Sequence, residues 1–218
     1  MTAATLQRPH VFLPGSDPGR APLLLLHGTG DDEHGLLPLG RGLSPGAALL
    51  SPRGTVREGT ANRFFRRLRE GVFDEDDLRA RTDELADFVR AASAEHGLAP
   101  GSLYAVGFSN GANTAAALLL RAPELLAGAV LVASVPPFAE PPAAELTGRR
   151  VLVSNGERDP MARPEQTAAL VAQLRERGAD VELLTHPGGH ALVPEHLPAM
   201  QALLTAGHTP IALNPPST

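Results

Sequence analysis

Leu103-Tyr104-Ala105-Val106-Gly107-Phe108-Ser109-Asn110-Gly111-Ala112-Asn113-Thr114-Ala115-Ala116-Ala117 reads as a buried strand that turns sharply into a helix. Residues 103–108 form an uninterrupted apolar run, as expected where both faces of a strand are covered. From Asn113 to Arg121 the residues are mostly small or apolar, at helical spacing. Between the two stands Gly107-x-Ser109-x-Gly111. A serine on a strand-to-helix turn occupies a strained backbone conformation. The residues two before and two after it must be tiny, so that strand and helix can approach. The helix N-terminus below adds a dipole that favours a developing oxyanion. A serine that merely caps a helix would also satisfy the five-residue pattern. Its setting between a buried strand and a small-residue helix points to a nucleophile elbow, with Ser109 as nucleophile.

Outward from this turn, short strand-like runs alternate with longer helical ones, the pattern of a parallel sheet wrapped by helices. Strands are expected at His10–Leu13, Leu23–His27, Ala47–Ser51, Leu103–Phe108, Ala129–Ser134, Val151–Asn155 and Val181–Thr185. Helices are expected at Leu78–Glu95, Asn113–Arg121, Pro164–Arg177 and Pro194–Leu204. No repeat and no linker divides the chain. One three-layer α/β domain over residues 1–218 follows, with 207–218 an irregular tail. The connection Val135–Arg149 is too short for a cap domain.

An elbow serine needs an acid and a histidine later in the chain, in that order. Beyond the strand Val151–Asn155 the loop reads Gly156-Glu157-Arg158-Asp159-Pro160, and beyond Val181–Thr185 it reads His186-Pro187-Gly188-Gly189-His190. Both loops lie past the carboxyl ends of strands, where open α/β sheets hold their ligands. Glu157 competes with Asp159 for the acid; Pro160 rigidifies the turn beside Asp159 and favours it. His186 competes with His190 for the base. The Gly-Gly before His190 lets that loop swing a side chain inward, which favours His190.

The early strand ends in Leu26-His27-Gly28-Thr29-Gly30-Asp31-Asp32. An oxyanion hole here would join the amide of Asn110 to one from this turn, Thr29 or Gly30, with Thr29 preferred. A dinucleotide fingerprint fails because position 33 is Glu. A metal held by His27, Asp31, Asp32 and His34 is the weaker reading of a polar turn. His186 and His190 have the spacing of helical zinc ligands, but Pro187 and two glycines forbid the helix. No metal and no cofactor are expected.

Composition narrows the chemistry further. The chain has no cysteine and no lysine; all 19 basic residues are arginine. That excludes thiolate chemistry, a P-loop lysine and a Schiff-base lysine. A net charge of −5 argues against nucleic acid as partner. No signal-peptide core or membrane span is visible. The expectation is a cytoplasmic monomer or homodimer that meets a small-molecule ester and neither nucleic acid nor membrane.

The motifs Leu-Leu-Leu-His-Gly-Thr-Gly (24–30), Arg-Phe-Phe-Arg-Arg-Leu (63–68), Gly-Val-Phe-Asp-Glu-Asp-Asp-Leu (71–78), Gly-Phe-Ser-Asn-Gly-Ala-Asn (107–113) and Gly-Gly-His (188–190) together resemble the phospholipase/carboxylesterase family of α/β-hydrolases. The likeness is closest to the bacterial branch associated with hydroquinone and quinone resistance, and runs from about Pro22 to Leu197. It implies a three-layer α/β-hydrolase fold, a triad of Ser109, Asp159 and His190, and an oxyanion hole from the amides of Thr29 and Asn110. It further implies ester or thioester hydrolysis without a metal. The chain departs from the better-known esterase and acyl-protein thioesterase members, which carry Gln after the serine and Leu in the first turn. Phe108 replaces the Tyr of the quinone-linked branch.

Between the turn and the first long helix lies Asn62-Arg63-Phe64-Phe65-Arg66-Arg67-Leu68-Arg69. One reading is an amphipathic turn whose arginines pair with Glu70, Asp74, Glu75 and Asp76. The other is a loop over the strand ends that shapes a substrate pocket. On that reading Phe64, Phe65 and Phe138 wall the cleft, and Arg66 faces it. The expected function is an ester hydrolase working through an acyl-enzyme. An acyl transferase or lyase on the same triad, or an idle binding module, are the rival readings.

Overall fold

In the computed structural model, which describes residues 8–206, the chain runs β1 (His10–Leu13), β2 (Leu23–Leu26), α1 (Leu37–Leu43) and β3 (Leu49–Pro52). Four short strands follow: β4 (Val56–Glu58), β5 (Ala61–Arg63), β6 (Arg67–Arg69) and β7 (Val72–Phe73). Then come α2 (Glu75–His96), β8 (Leu103–Phe108), α3 (Asn110–Arg121), β9 (Leu126–Val132), β10 (Arg150–Gly156), α4 (Pro164–Arg175), β11 (Asp180–His186) and α5 (Leu197–Ala206). The expected irregular tail, 207–218, lies outside the described residues.

Seven strands form the central sheet in the order β1-β3-β2-β8-β9-β10-β11. Only β1 runs antiparallel to its neighbour. This is the three-layer α/β-hydrolase architecture, with a mostly parallel sheet between helices. Side chains along a strand alternate between faces, so one apolar run feeds two cores. Leu24 and Leu26 of β2 join α2, α3 and α4 on one face. Leu23 and Leu25 join α1 and α5 on the other. All four leucines are fully buried. Among the described residues no helix is long and apolar enough to cross a membrane.

Helix α2 begins where Asp74 accepts a hydrogen bond from the Asp77 N–H at 3.1 Å, with three more acids in its first turn. These complement the helix dipole. It ends at Gly97 in the left-handed conformation, φ 66°. The 133–149 connection holds no helix or strand, so nothing roofs the strand ends in the manner of a cap domain.

Several element boundaries differ from the sequence reading. Strand β9 begins at Leu126 and ends before Ala133, whose φ of 55° breaks the extended path. Helix α1 has no counterpart among the elements expected from sequence, and its Leu-Pro-Leu-Gly-Arg-Gly-Leu carries two glycines and a proline, poor helix formers. It is held by burial of Leu37 and Leu43 against the sheet, a tertiary effect that outweighs local propensity. Of the pairings expected for the arginines of residues 62–69, Arg66–Asp74 forms, but the segment is built of short strands rather than an amphipathic turn. Strands β4–β5 and β6–β7 form two hairpins over the sheet ends.

Candidate active site

Ser109 leaves β8 at φ 52°, ψ −115°, a left-handed region unusual for a residue with a side chain. The two flanking glycines make this possible. A Cβ on Gly107 would lie 2.7 Å from Ala112 backbone atoms, and one on Gly111 only 2.0 Å from the Leu26 carbonyl oxygen. The elbow thus wedges α3 against β2, and no larger residue fits at either position.

The structure brings Ser109, His190 and Asp159 into one line. Ser109 Oγ lies 2.8 Å from His190 Nε2, and His190 Nδ1 lies 2.7 Å from Asp159 Oδ2. The Asp159 side chain is fully buried. Its other oxygen accepts the Met161 N–H at 2.8 Å, which fixes the carboxylate plane. The competing residues are engaged elsewhere. Glu157 is exposed and accepts from the Thr185 hydroxyl. His186 uses Nδ1 to accept the Gly188 N–H and packs its ring edge-on against His196.

On the opposite side of the serine, the turn after β2 is pinned from three directions. His27 Nδ1 donates to Gly28 O at 2.7 Å, and His27 Nε2 accepts the Gly54 N–H at 2.9 Å. Asn62 donates its side-chain N–H to Asp31 O. The Gly30 N–H is spent on Asn62 O at 2.9 Å. Among the described residues neither the Thr29 nor the Asn110 backbone N–H finds an acceptor. That leaves Thr29, rather than Gly30, with an amide to offer. Asn110 Oδ1 accepts the Phe64 N–H at 2.7 Å, tying the hairpin segment to the elbow.

His27 is buried and must stay neutral to accept from Gly54. Burial holds its pKa below the ordinary 6.5, against a smaller upward pull from the Gly28 hydrogen bond and the acids at 31–33. The unfolded chain therefore takes up this proton first as pH falls. The stabilisation is whole above about pH 6.5 and is lost as pH drops towards the folded value. Urea midpoints measured at pH 7.5 and 5.5 should fall more steeply in the wild type than in His27→Gln. Equal slopes would remove His27 from the acid response.

The cavity at the serine has a volume of about 40 Å³, and Thr29, Ser109, Asn110 and His190 all line it. Phe73 and Val135 also line a neighbouring groove of about 450 Å³, together with Pro136, Pro137 and Phe138. Phe138, expected as a wall of the substrate cleft, lines this groove and not the cavity at the serine.

Three expected pocket residues do not hold their places. Phe64 and Phe65 are core residues, 2% and 0% exposed, and neither lines the cavity. Phe65 packs edge-on against Phe73, and Phe64 lies against His27. Arg66 points to solvent, 63% exposed, with its guanidinium on Asp74 at 2.6 Å. Strand register inverts the expectation: Arg63 and Arg67, not Arg66, line the cavity. Arg66→Ala should accordingly leave kcat/KM unchanged for acidic, aromatic and aliphatic esters alike. A selective loss on acidic esters would return it to the cleft.

The polar turn does not form the metal set considered from sequence. Ligand atoms of Asp32, Glu33 and His34 fall within 4.8 Å of one another. His27 is turned away to Gly28 and Gly54, and Glu33 is bridged by Arg53, with Nη2 to Oε1 at 2.7 Å.

Sequence reasoning missed the buried network behind the serine. Asn113 Oδ1 accepts from the Ser134 hydroxyl and the Val135 N–H, at 3.0 and 2.9 Å. Asn155 accepts the Ser134 N–H and donates to Ser134 O and the Thr167 hydroxyl. These bonds lock together the ends of β9 and β10 and the starts of α3 and α4. The signal available was Ser154-Asn155, two polar residues ending a strand that is apolar over 151–153.

Comparison with known proteins bears on the fold and the family. A model of the alpha/beta hydrolase fold matches residues 21–167. The chain is 45% identical over 170 residues to the putative hydrolase MhqD of Bacillus subtilis (strain 168), covering 78% of this chain and 85% of that one. A carboxylesterase of Bacillus cereus has the same fold with a TM-score of 0.90 at 37% identity, over 94% of this chain and 96% of that one. The Agrobacterium tumefaciens str. C58 protein Atu2452, of unknown function, gives 0.84 at 40% identity, over 94% and 98%.

Proposed function

Since the chain belongs to the alpha/beta hydrolase fold family, we propose that it cleaves small to medium carboxylic esters or thioesters through an acyl-enzyme on Ser109. The observation that carries this reading is the continuous hydrogen-bonded line from Ser109 Oγ through His190 to Asp159, 2.8 and 2.7 Å, opening on a cavity. The carboxylesterase neighbour supports ester chemistry at the general level.

In the proposed reaction, Ser109 Oγ attacks the ester carbonyl while His190 Nε2 removes its proton. Asp159 keeps the other ring proton on Nδ1 and stabilises the imidazolium. The tetrahedral oxyanion lies against the N–H groups of Thr29 and Asn110, which have no acceptor among the described residues. His190 then gives its proton to the leaving alcohol or thiol. Water, activated by the same imidazole, releases the acid.

The inner cavity suits a short acyl arm, and the groove gives limited further apolar contact. Each extra buried methylene adds at most about 0.8 kcal/mol. Turnover of an acyl-length series should therefore rise over the first few carbons and then level. A fluorophosphonate probe tests the central claim directly, because only an activated serine reacts. Mass mapping should place the adduct on Ser109; an unlabelled protein, or an adduct elsewhere, defeats the reading.

A further inference from the structure

Ester hydrolysis by a serine needs no arginine, yet Arg63 and Arg67 both line the cavity that holds Ser109. Arg63 is the one buried arginine among the described residues, with its side chain 5% exposed. Its Nε donates to Phe65 O at 3.1 Å and Nη1 to the Thr29 hydroxyl at 2.7 Å, beside the oxyanion turn. Arg67 stands next to it, also on the cavity wall. Both lean on one carboxylate. Glu58 takes Arg67 through Oε1, at 3.0 and 2.9 Å, and has Oε2 3.4 Å from Arg63. Among the described residues neither arginine has another acidic partner. Two cations against one anion leave a net positive charge on this wall, with Arg63 buried while Arg67 and Glu58 still reach solvent, so an incoming anion has a cation to meet.

The rest of the lining sharpens the chemistry. Asp159 is spent on His190. Asn110 meets the cavity with its Oδ1 already occupied by Phe64 and its Nδ2 without a partner. The wall near the serine therefore offers donors and positive charge. Guanidinium forks match a planar carboxylate better than a point charge does. The volume of about 40 Å³ admits only about three water-sized groups, so whatever the arginines read sits close to the scissile carbonyl.

We propose that Arg63 and Arg67 form an anion subsite, and that the preferred substrate is an ester bearing a free carboxylate within about three bonds of the reacting carbonyl. This inference rests on the reading of Ser109 as the nucleophile. The carboxylate belongs to the acid half of the ester or to its alcohol half, and matched pairs distinguish the two. Ethyl hydrogen succinate carries it on the acid half, with ethyl 4-methylpentanoate as the neutral isostere. Carboxymethyl butanoate carries it on the alcohol half, with isobutyl butanoate as isostere.

In the wild type at low salt, the anionic member of at least one pair should exceed its isostere in kcat/KM by about ten-fold or more, as charge-assisted hydrogen bonds allow. Raising salt should shrink the ratio. Arg67→Gln should bring it towards one. Glu58→Gln, which removes the competing carboxylate, should increase it. A merely structural role for this corner cannot produce opposite shifts from two neutral glutamines. Ratios near one in both pairs, or unchanged in both variants, overturn the subsite and leave the serine hydrolase standing. Hydrolysis that persists in Ser109→Ala, or no turnover of any ester with Ser109 unlabelled, overturns the underlying reading instead.

Discussion

Ser109→Ala should fold as the wild type does and lose roughly 10⁴–10⁶-fold in kcat on any ester the protein cleaves. Among the described residues the hydroxyl's hydrogen bond is to His190, and the close approach of strand and helix at the φ 52° turn is allowed by Gly107 and Gly111 rather than by the hydroxyl. Thermal midpoints of the two proteins should therefore agree closely. The residual rate should still exceed that in water, because the Thr29 and Asn110 amides and the cavity are untouched. Covalent labelling by a fluorophosphonate should vanish altogether. A variant that retained near wild-type turnover would remove the serine from the chemistry and, with it, the meaning of the elbow.

Why the elbow was legible in the sequence is physical. A strand buried on both faces must be apolar throughout, and β8 is found at Leu103–Phe108, as its residues indicate. The close approach of strand and helix admits only glycine at 107 and 111, so the constraint is written in residue identity. The loops after β10 and β11 follow from strand order in the same way. The hairpins of residues 56–73 carry no such signature. Strands of two or three residues have no periodicity to read, and what fixes them is distant: Asn62 on the Asp31 carbonyl and the Phe64 amide on Asn110. Without that register, four arginines in seven residues are interchangeable on paper. Arg63 ends β5 and turns inward, whereas Arg66 falls between hairpins and turns to Asp74. The aromatic pair misled for a related reason. Phe64 and Phe65 stand among cations, which suggests a surface cleft, but the sheet ends need a hydrophobic cover and take both rings into the core.

His190→Ala should cost at least about 10⁴-fold in kcat while His186→Ala keeps most of the activity, although only three residues separate them. The difference lies in where each imidazole is committed. His190 reaches both partners at once, Ser109 Oγ at 2.8 Å and Asp159 Oδ2 at 2.7 Å, with its ring against Phe108 at the cavity wall. Removing it leaves a serine without an acceptor for its proton and a buried Asp159 carboxylate without its ring partner, so some loss of stability should accompany the loss of rate. His186 touches neither serine nor cavity. It closes the Gly188 turn and packs on His196 behind the loop, and its loss should register in the unfolding midpoint rather than in kcat. The acid divides in the same manner. Asp159→Asn preserves the shape but favours the wrong ring tautomer, worth roughly 10⁴-fold in the comparable serine triad. Glu157→Gln alters only an exposed contact with Thr185 and should be silent. Measured together, the four variants separate rate from stability at each position. A kcat lost in His186→Ala and kept in His190→Ala would transfer the base to the strand end and break the line from Ser109 to Asp159.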